Sequence, residues 1–308
     1  MESIKKATQI YFILIMGVVG ISFSAIFIRY TTAPSSIIAM YRMGITFLIF
    51  LPFAIVNGRK EIKKISRREY LFCGISGFFL ALHFVTWIAS LNYTTVASST
   101  MIVSLQPLFT VGIGYLVYQE RISKRALVGM GLAIVGSIFM GLINYHGGSG
   151  NIIGDGLALA GAFFGALYII IGRGMRKNVS LLTYGFIVYG SCTLTLVLIN
   201  LMMKVPFAGY PNQDYLLFLL MAIVCTIGGH TVFNWGLKYI EANKISTFML
   251  GEPVGASLWA IILLREIPSK GQFFSSIIIL SGLWFFMKAS VQEEKHQLSK
   301  GEIRCETR

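Results

Sequence analysis

Apolar residues run along this chain in long blocks rather than in the short alternations of strands or the narrow stripes of a soluble helix. Blocks long enough to cross a bilayer, about 17 to 25 residues each, lie near 8–28, 35–56, 70–91, 94–118, 124–145, 154–173, 180–203, 215–238, 241–264 and 268–290. Only short polar connectors separate them, too short for a soluble domain. In lipid every backbone polar group must be bonded internally, so blocks of this kind fold as helices. The pattern predicts an all-α integral membrane protein with ten transmembrane helices. The first block follows Lys5 and Lys6 as a signal peptide would, but its run is too long and no small-residue cleavage motif follows. It is expected to stay as a helix.

The blocks also repeat. Gln106-Pro107 is followed by Glu120, and Glu252-Pro253 by Glu266, with the same thirteen-residue spacing (120 − 107 and 266 − 253) and an offset of 146 (253 − 107). Leu91 and Tyr93 fall on Leu237 and Tyr239, and Gly136 on Gly282, in the same register. A period this long is a duplicated membrane unit, since solenoid repeats are about 20 to 50 residues. Helices 4 and 9 carry the matching motifs, and five crossings apart they run in opposite directions. The expected organisation is therefore two inverted five-helix repeats, 8–145 and 154–290, followed by a polar cytosolic tail, 291–308. Inverted repeats place a substrate site near the midplane between the halves and open it alternately to each side. Pro107 and Pro253 lie near the centres of their helices, where each removes one hydrogen bond and frees a carbonyl, of Val103 and of Met249. Such groups are tolerated where they face protein or a wet cavity.

Composition agrees with a membrane location: 55% of residues are hydrophobic and 13% charged, against roughly 25% charged in soluble domains. The net charge of +13 could signify nucleic-acid binding, but its placement decides otherwise. With the N-terminus in the cytosol, 21 of the 26 Lys and Arg residues fall on the cytosolic side, four on the outer side, and Arg42 within a helix. Both termini are thus expected inside, by the positive-inside rule, and no nucleic acid is implied. Cys73, Cys192, Cys225 and Cys305 have no metal-like spacing. No Walker-type nucleotide motif is present, so a carrier of this sequence draws on a gradient.

Glu252 is the sharpest candidate for chemistry. A carboxylate at the bilayer centre costs about 2.5 to 3.5 kcal/mol, so embedded acids tend to face cavities and serve as ion or proton sites. Its counterpart, Gln106, cannot titrate. Two readings stand: proton coupling through Glu252, or a protonated Glu252 acting as interhelical glue. On helix 8, Thr226, His230 and Asn234 share one polar stripe at four-residue spacing, and on helix 3 so do His83, Trp87 and Ser90. Both stripes are read as cavity lining, with Trp87 as an aromatic wall for an apolar or cationic substrate; helix packing is the bland alternative. No HxxxH pair exists, so no metal or cofactor is expected. Arg42 either snorkels to the outer surface or pairs with Glu252 or an anionic substrate group. Glu120 and Glu266 sit beside Arg121 and Arg265 and are read as local charge neutralisation. Asp155 is read as a cap on helix 6. Gly161 with Gly165, and Gly251 with Gly255, have the spacing of close helix contacts.

These markers together resemble the EamA-type transporters of the drug/metabolite transporter superfamily. The resemblance rests on Pro107, Glu120, Gly129 and Gly136 against Pro253, Glu266 and Gly282, on Arg42, on Gly154-Asp155, and on the runs Leu82-His83-Phe84, Trp87 to Leu91, Gly229-His230, Asn234-Trp235 and Gly251 to Val254. It departs at Val19, where many relatives carry Trp, and at Ser275, where the first copy has Gly129. The resemblance implies a ten-helix secondary carrier in the cell membrane, exporting an amino-acid-like or drug-like metabolite, and not an enzyme. Its implied partners are a small-molecule substrate, the lipid bilayer, protons and, as a homodimer, a second copy. An intramembrane enzyme pairing His83 or His230 with a serine or Glu252 is the second class, and a membrane sensor the third.

Overall fold

The computed structural model describes residues 2–118, 123–147, 151–236, 238–239, 248–249 and 251–299. Among these the chain is helical throughout, with no strand. α1 (Glu2–Ser22) and α2 (Ser24–Arg29) are separated by a turn at Phe23. α3 (Ser35–Phe53) starts after Pro34, whose ring cannot continue a helix backwards, and passes through a π-helical turn at Ala54–Gly58 into α4 (Arg59–Ile62). Pro52 lies just before that turn and has no N–H for the carbonyl one turn earlier. α5 (Arg67–Ser90) opens on a reciprocal cap: Ser66 Oγ accepts from the Glu69 N–H, and the Glu69 carboxylate accepts from the Ser66 N–H at 3.0 Å.

The second stretch comprises α6 (Val96–Val103), α7 (Gln106–Tyr118), α8 (Lys124–Gly147) and α9 (Ile152–Met175). α10 (Leu181–Met202) follows, then α11 (Asn212–Leu220), a π-helical segment Met221–Thr231 and α12 (Val232–Gly236). α13 (Gly251–Trp259) ends in a π-helical turn at Ala260–Leu264, and α14 (Lys270–Ser299) closes the described chain. Eight of the helical stretches are long and apolar enough to cross a membrane, and two shorter apolar ones are Gly251–Leu264 and Lys270–Phe286. The chain is a multi-pass membrane protein. Residues 241–247 and 250 of the ninth block expected at 241–264 fall outside the described residues. α14 runs on to Ser299 rather than ending near 290, so the first part of the expected tail is helical; Glu, Gln and Lys there are good helix formers.

Helices whose starts are 146 apart pack on one another. α3 and α10 begin at Ser35 and Leu181 (181 − 35), and α8 and α14 at Lys124 and Lys270 (270 − 124). Ser36, at the start of α3, donates from Oγ to Asn200 Oδ1 near the end of α10 at 2.7 Å, while Phe50 near the end of α3 meets Tyr189 nearer the start of α10. The pair is antiparallel. Its contacts come in reciprocal sets: a Cβ on Gly44 would meet Thr193 at 3.5 Å, and one on Gly190 would meet Phe47 at 2.9 Å, where Thr193 and Gly190 are the equivalents of Phe47 and Gly44 (193 − 146, 190 − 146). α8 and α14 do the same. A Cβ on Gly136 would lie 2.8 Å from Ile279, and one on Gly282 only 2.5 Å from the Ala133 nitrogen, again an exchanged pair (282 − 146, 279 − 146). Glycine at these sites lets the backbones touch, which is how helices associate where no hydrophobic drive operates.

The largest buried cluster lies among α2, α3, α5, α9, α10 and α11, and a second joins α6, α7, α8 and α14. In α8 only 28% of Lys124–Ile143 is buried. Leu127, Val128, Ile134, Ile138 and Phe139 face outward, an apolar surface suited to acyl chains.

Candidate functional site

The first proline breaks its helix. α6 stops at Val103, Ser104 and Leu105 form a turn, and α7 starts at Gln106. The bonds through the turn are three-residue ones, Leu105 N–H to Ile102 O at 3.0 Å and Leu108 N–H to Leu105 O at 2.9 Å. They tighten the chain where Pro107 has no N–H to give. In the second copy α13 starts at Gly251, directly before Glu252 and Pro253; residues 240–247 and 250 lie outside the described chain.

A cavity lies against this break. Its walls include His83 and Trp87 from α5, Val103 and Gln106 from the broken helix, His230 from the π-helical segment, and Met249 and Glu252 from the second copy. Val103 and Met249 are equivalents at the 146 offset, and so are Gln106 and Glu252. The centres of water-sized molecules have about 40 Å³ to occupy, room for roughly three waters at about 10–15 Å³ each. His83 Nδ1 is 2.8 Å from the Gly161 carbonyl. A carbonyl only accepts, so Nδ1 carries a proton there, and in the neutral ring Nε2 is the acceptor nitrogen. The His83 and Trp87 rings are near parallel at 6.2 Å. Gln106 is 9% exposed and wedged against α9: a Cβ on Gly165 would lie 2.6 Å from its Oε1 and 2.9 Å from His83 Nδ1. Glycine at 165 is what lets both side chains approach.

Five of the seven expected site residues thus share one cavity, and two do not. Arg42 is fully buried, which overturns the snorkelling reading. Its Nε donates to Thr226 Oγ1 and its Nη1 to Ser24 Oγ, both at 2.8 Å, and the guanidinium lies over the Phe84 ring at 4.4 Å. It does not line the cavity and forms no ion pair with Glu252, although it is within electrostatic reach of it. Two hydrogen bonds and a ring hold it inside at less cost than an extended path to the surface. Asn234 is also off the cavity, donating from Nδ2 to the Tyr168 hydroxyl at 2.7 Å. The expected stripe of Thr226, His230 and Asn234 fails because Met221–Thr231 is π-helical, so residues four apart no longer stack. Thr226 Oγ1 reaches back five residues, to Met221 O.

Glu266 takes different partners from those its neighbour Arg265 led one to expect. Its carboxylate accepts the Val96 N–H at 2.6 Å, capping α6, and lies 3.7 Å from Arg29. Arg265 instead adopts a left-handed conformation, φ 56°, that turns the chain after Leu264. The α9 cap is Asn151, accepting from the Ile153 N–H, while Asp155 sits in the first turn. Glu120 and Arg121 lie outside the described residues.

Phe84 and Tyr168 are neighbours of the site that sequence reasoning did not single out. Phe84 stacks under Arg42 and meets His230 edge-on at 5.5 Å. The signal was available, because Phe84 and His230 are equivalents (230 − 146), and equivalents touch only near a shared axis. Tyr168 carries no such signal.

Against known proteins, the model of the EamA-like transporter family matches residues 8–142 and again 152–288. The chain belongs to that family. Among its relatives are an uncharacterized transporter of Archaeoglobus fulgidus, 28% identical over 250 residues and covering 78% of this chain and 72% of that protein. The uncharacterized transporter YyaM of Bacillus subtilis is 28% identical over 237 residues, 72% of this chain and 74% of its own. A probable amino-acid metabolite efflux pump of Salmonella typhimurium is 24% identical over 195 residues, 60% of this chain and 65% of the pump. One solved structure superposes with a TM-score of 0.64 over 94% of this chain and 99% of its own, at 17% identity, a likeness of fold alone. Two tandem EamA-like units therefore make up the transporter.

Proposed function

We propose that this EamA-family transporter is a secondary carrier that exports a small, amino-acid-like metabolite across the cell membrane by alternating access. The observation that carries the reading is the cavity whose walls pair Val103 with Met249 and Gln106 with Glu252 across the repeat offset. The antiparallel, reciprocal packing of α3 on α10 and of α8 on α14 supports inversion of two five-helix units, 8–145 and 154–290. A site on the axis between inverted units is reached from either side when they rock. The cavity has room for only a few waters in this conformation. Both termini lie in the cytosol, as the basic connectors require. Glu252, with no hydrogen-bond or ion partner among the described residues, is the proton site. Its amide equivalent Gln106 makes the pair titratable on one side only.

Counterflow in proteoliposomes tests this. Protein loaded with unlabelled L-amino acids is expected to accumulate labelled substrate, faster when a pH gradient is imposed. Absence of flux for every amino acid offered would remove the substrate class, and flux indifferent to pH would remove the coupling.

A further inference from the structure

Two polar side chains in this bundle hold buried donors without an acceptor among the described residues: Trp87 at Nε1 and Arg42 at Nη2. Trp87 is 3% exposed and lines the cavity. An indole N–H can only donate, so no rotation or tautomer satisfies it. The other polar groups of the cavity differ in kind. His83 has spent its proton on Gly161 and faces inward as an acceptor, Ser104 donates to the Thr100 carbonyl at 2.6 Å, and Gln106 and His230 offer both roles. Trp87 is therefore the wall's dedicated donor, and its position is not free to adjust. His83 stacks beside it, and Gly161 packs against its backbone and Cβ with 3.2 Å to a would-be side chain.

Buried N–H groups are nearly always partnered, and an exception needs a reason. Resting on the carrier reading above, we infer that the Trp87 Nε1–H reads an oxygen acceptor, carboxylate or carbonyl, on the transported solute. Trp87 is then a specificity residue through its N–H and not only an aromatic wall. Arg42, whose guanidinium lies over the Phe84 ring that also meets His230 edge-on, adds positive potential to the same region and favours a carboxylate among acceptors.

The test uses the full-length carrier in proteoliposomes, with the proteinogenic L-amino acids and their decarboxylated amines as probes. For an amino acid that wild type carries, Trp87→Phe keeps the ring and removes the N–H. KM is expected to rise about tenfold, the loss of one hydrogen bond to a charged acceptor, with maximal counterflow unchanged. The corresponding amine, without the oxygen, should be handled alike by both proteins. Unchanged KM, or an equal loss for acid and amine, overturns the inference while leaving the carrier standing. A second readout needs no transport and no substitution at Trp87. ¹⁵N-labelled indole nitrogens give one signal for each of the four Trp residues, and Trp87 is assigned by eliminating Trp235→Phe, Trp259→Phe and Trp284→Phe. Pooled amino acids are expected to move the Trp87 indole proton downfield, and the pooled amines are not. If no amino acid is carried, the carrier's substrate class fails; a Trp87 signal that stays still with the pooled amino acids overturns this inference too.

Discussion

The two proline motifs occupy equivalent positions in the repeat and end in different surroundings. Gln106 is held: its helix is broken at Ser104–Leu105, its side chain is wedged against Gly165, and it touches the His83 face of α5. Glu252 differs: α13 packs behind it on α1, where Gly251 faces Val18 and Gly255 faces Ser22, and its carboxylate has no hydrogen-bond or ion partner among the described residues. The equivalent of Gly165 is Val19 (165 − 146), 41% exposed, so the position that is a glycine against Gln106 carries a side chain in the other copy. A duplicated unit has kept the proline and lost the matching glycine. One arm is anchored and the other is available to change its protonation or its partner.

The hardest test of that contrast fills the socket. Gly165→Leu drives side-chain atoms into Gln106 and His83, and should cost at least about 1–3 kcal/mol of stability and lower counterflow by an order of magnitude. Thermal unfolding and flux measured together check it; a variant of wild-type stability and rate would mean that Gln106 is not wedged. Next comes Arg42, the buried charge nearest in effect to Glu252. Arg42→Lys cannot keep both the Thr226 and the Ser24 bond in the same fork, and should lose about 1.5–3 kcal/mol. An unchanged unfolding temperature would show that charge alone matters.

Making the two arms alike sharpens the comparison with less disruption. Glu252→Gln should express and fold as the parent does, yet carry solute with a flat pH profile. Retained pH dependence in its counterflow would place the proton site elsewhere. The smallest effect is expected far from the cavity. Glu266→Gln keeps an acceptor for the Val96 N–H but loses the charge facing Arg29 and the helix end, about 0.3–1 kcal/mol. A larger loss of stability would mark this contact as more than a cap.

Particular residues show what was legible in advance. The 146-residue offset, read from Pro107 and Pro253, recurs in the helix starts at Ser35 and Leu181 and at Lys124 and Lys270, because starts follow local signals such as Pro34 and Ser180. The grouping of His83, Trp87, Gln106, His230 and Glu252 was legible because polar side chains in apolar helices have few places to go. Arg42 was not. Whether a long basic chain snorkels or turns inward depends on which acceptors other helices offer, here Ser24 and Thr226. Asn234 was misplaced because the π-helical segment changes the face on which a residue four positions on emerges, and no proline or glycine pattern announces that register.

The sequence by itself determined the membrane class, the duplication, the helix break at Pro107 and the asymmetry between amide and carboxylate. These are one-dimensional properties: hydrophobic length, spacing and residue type, each acting through local backbone chemistry or the bilayer. Only the tertiary structure decided that Arg42 is buried over Phe84, that Glu266 caps a helix of the other unit, and that Gln106 is wedged against Gly165. Each of these is a contact between residues far apart along the chain, chosen by which partner satisfies a buried polar group at least cost.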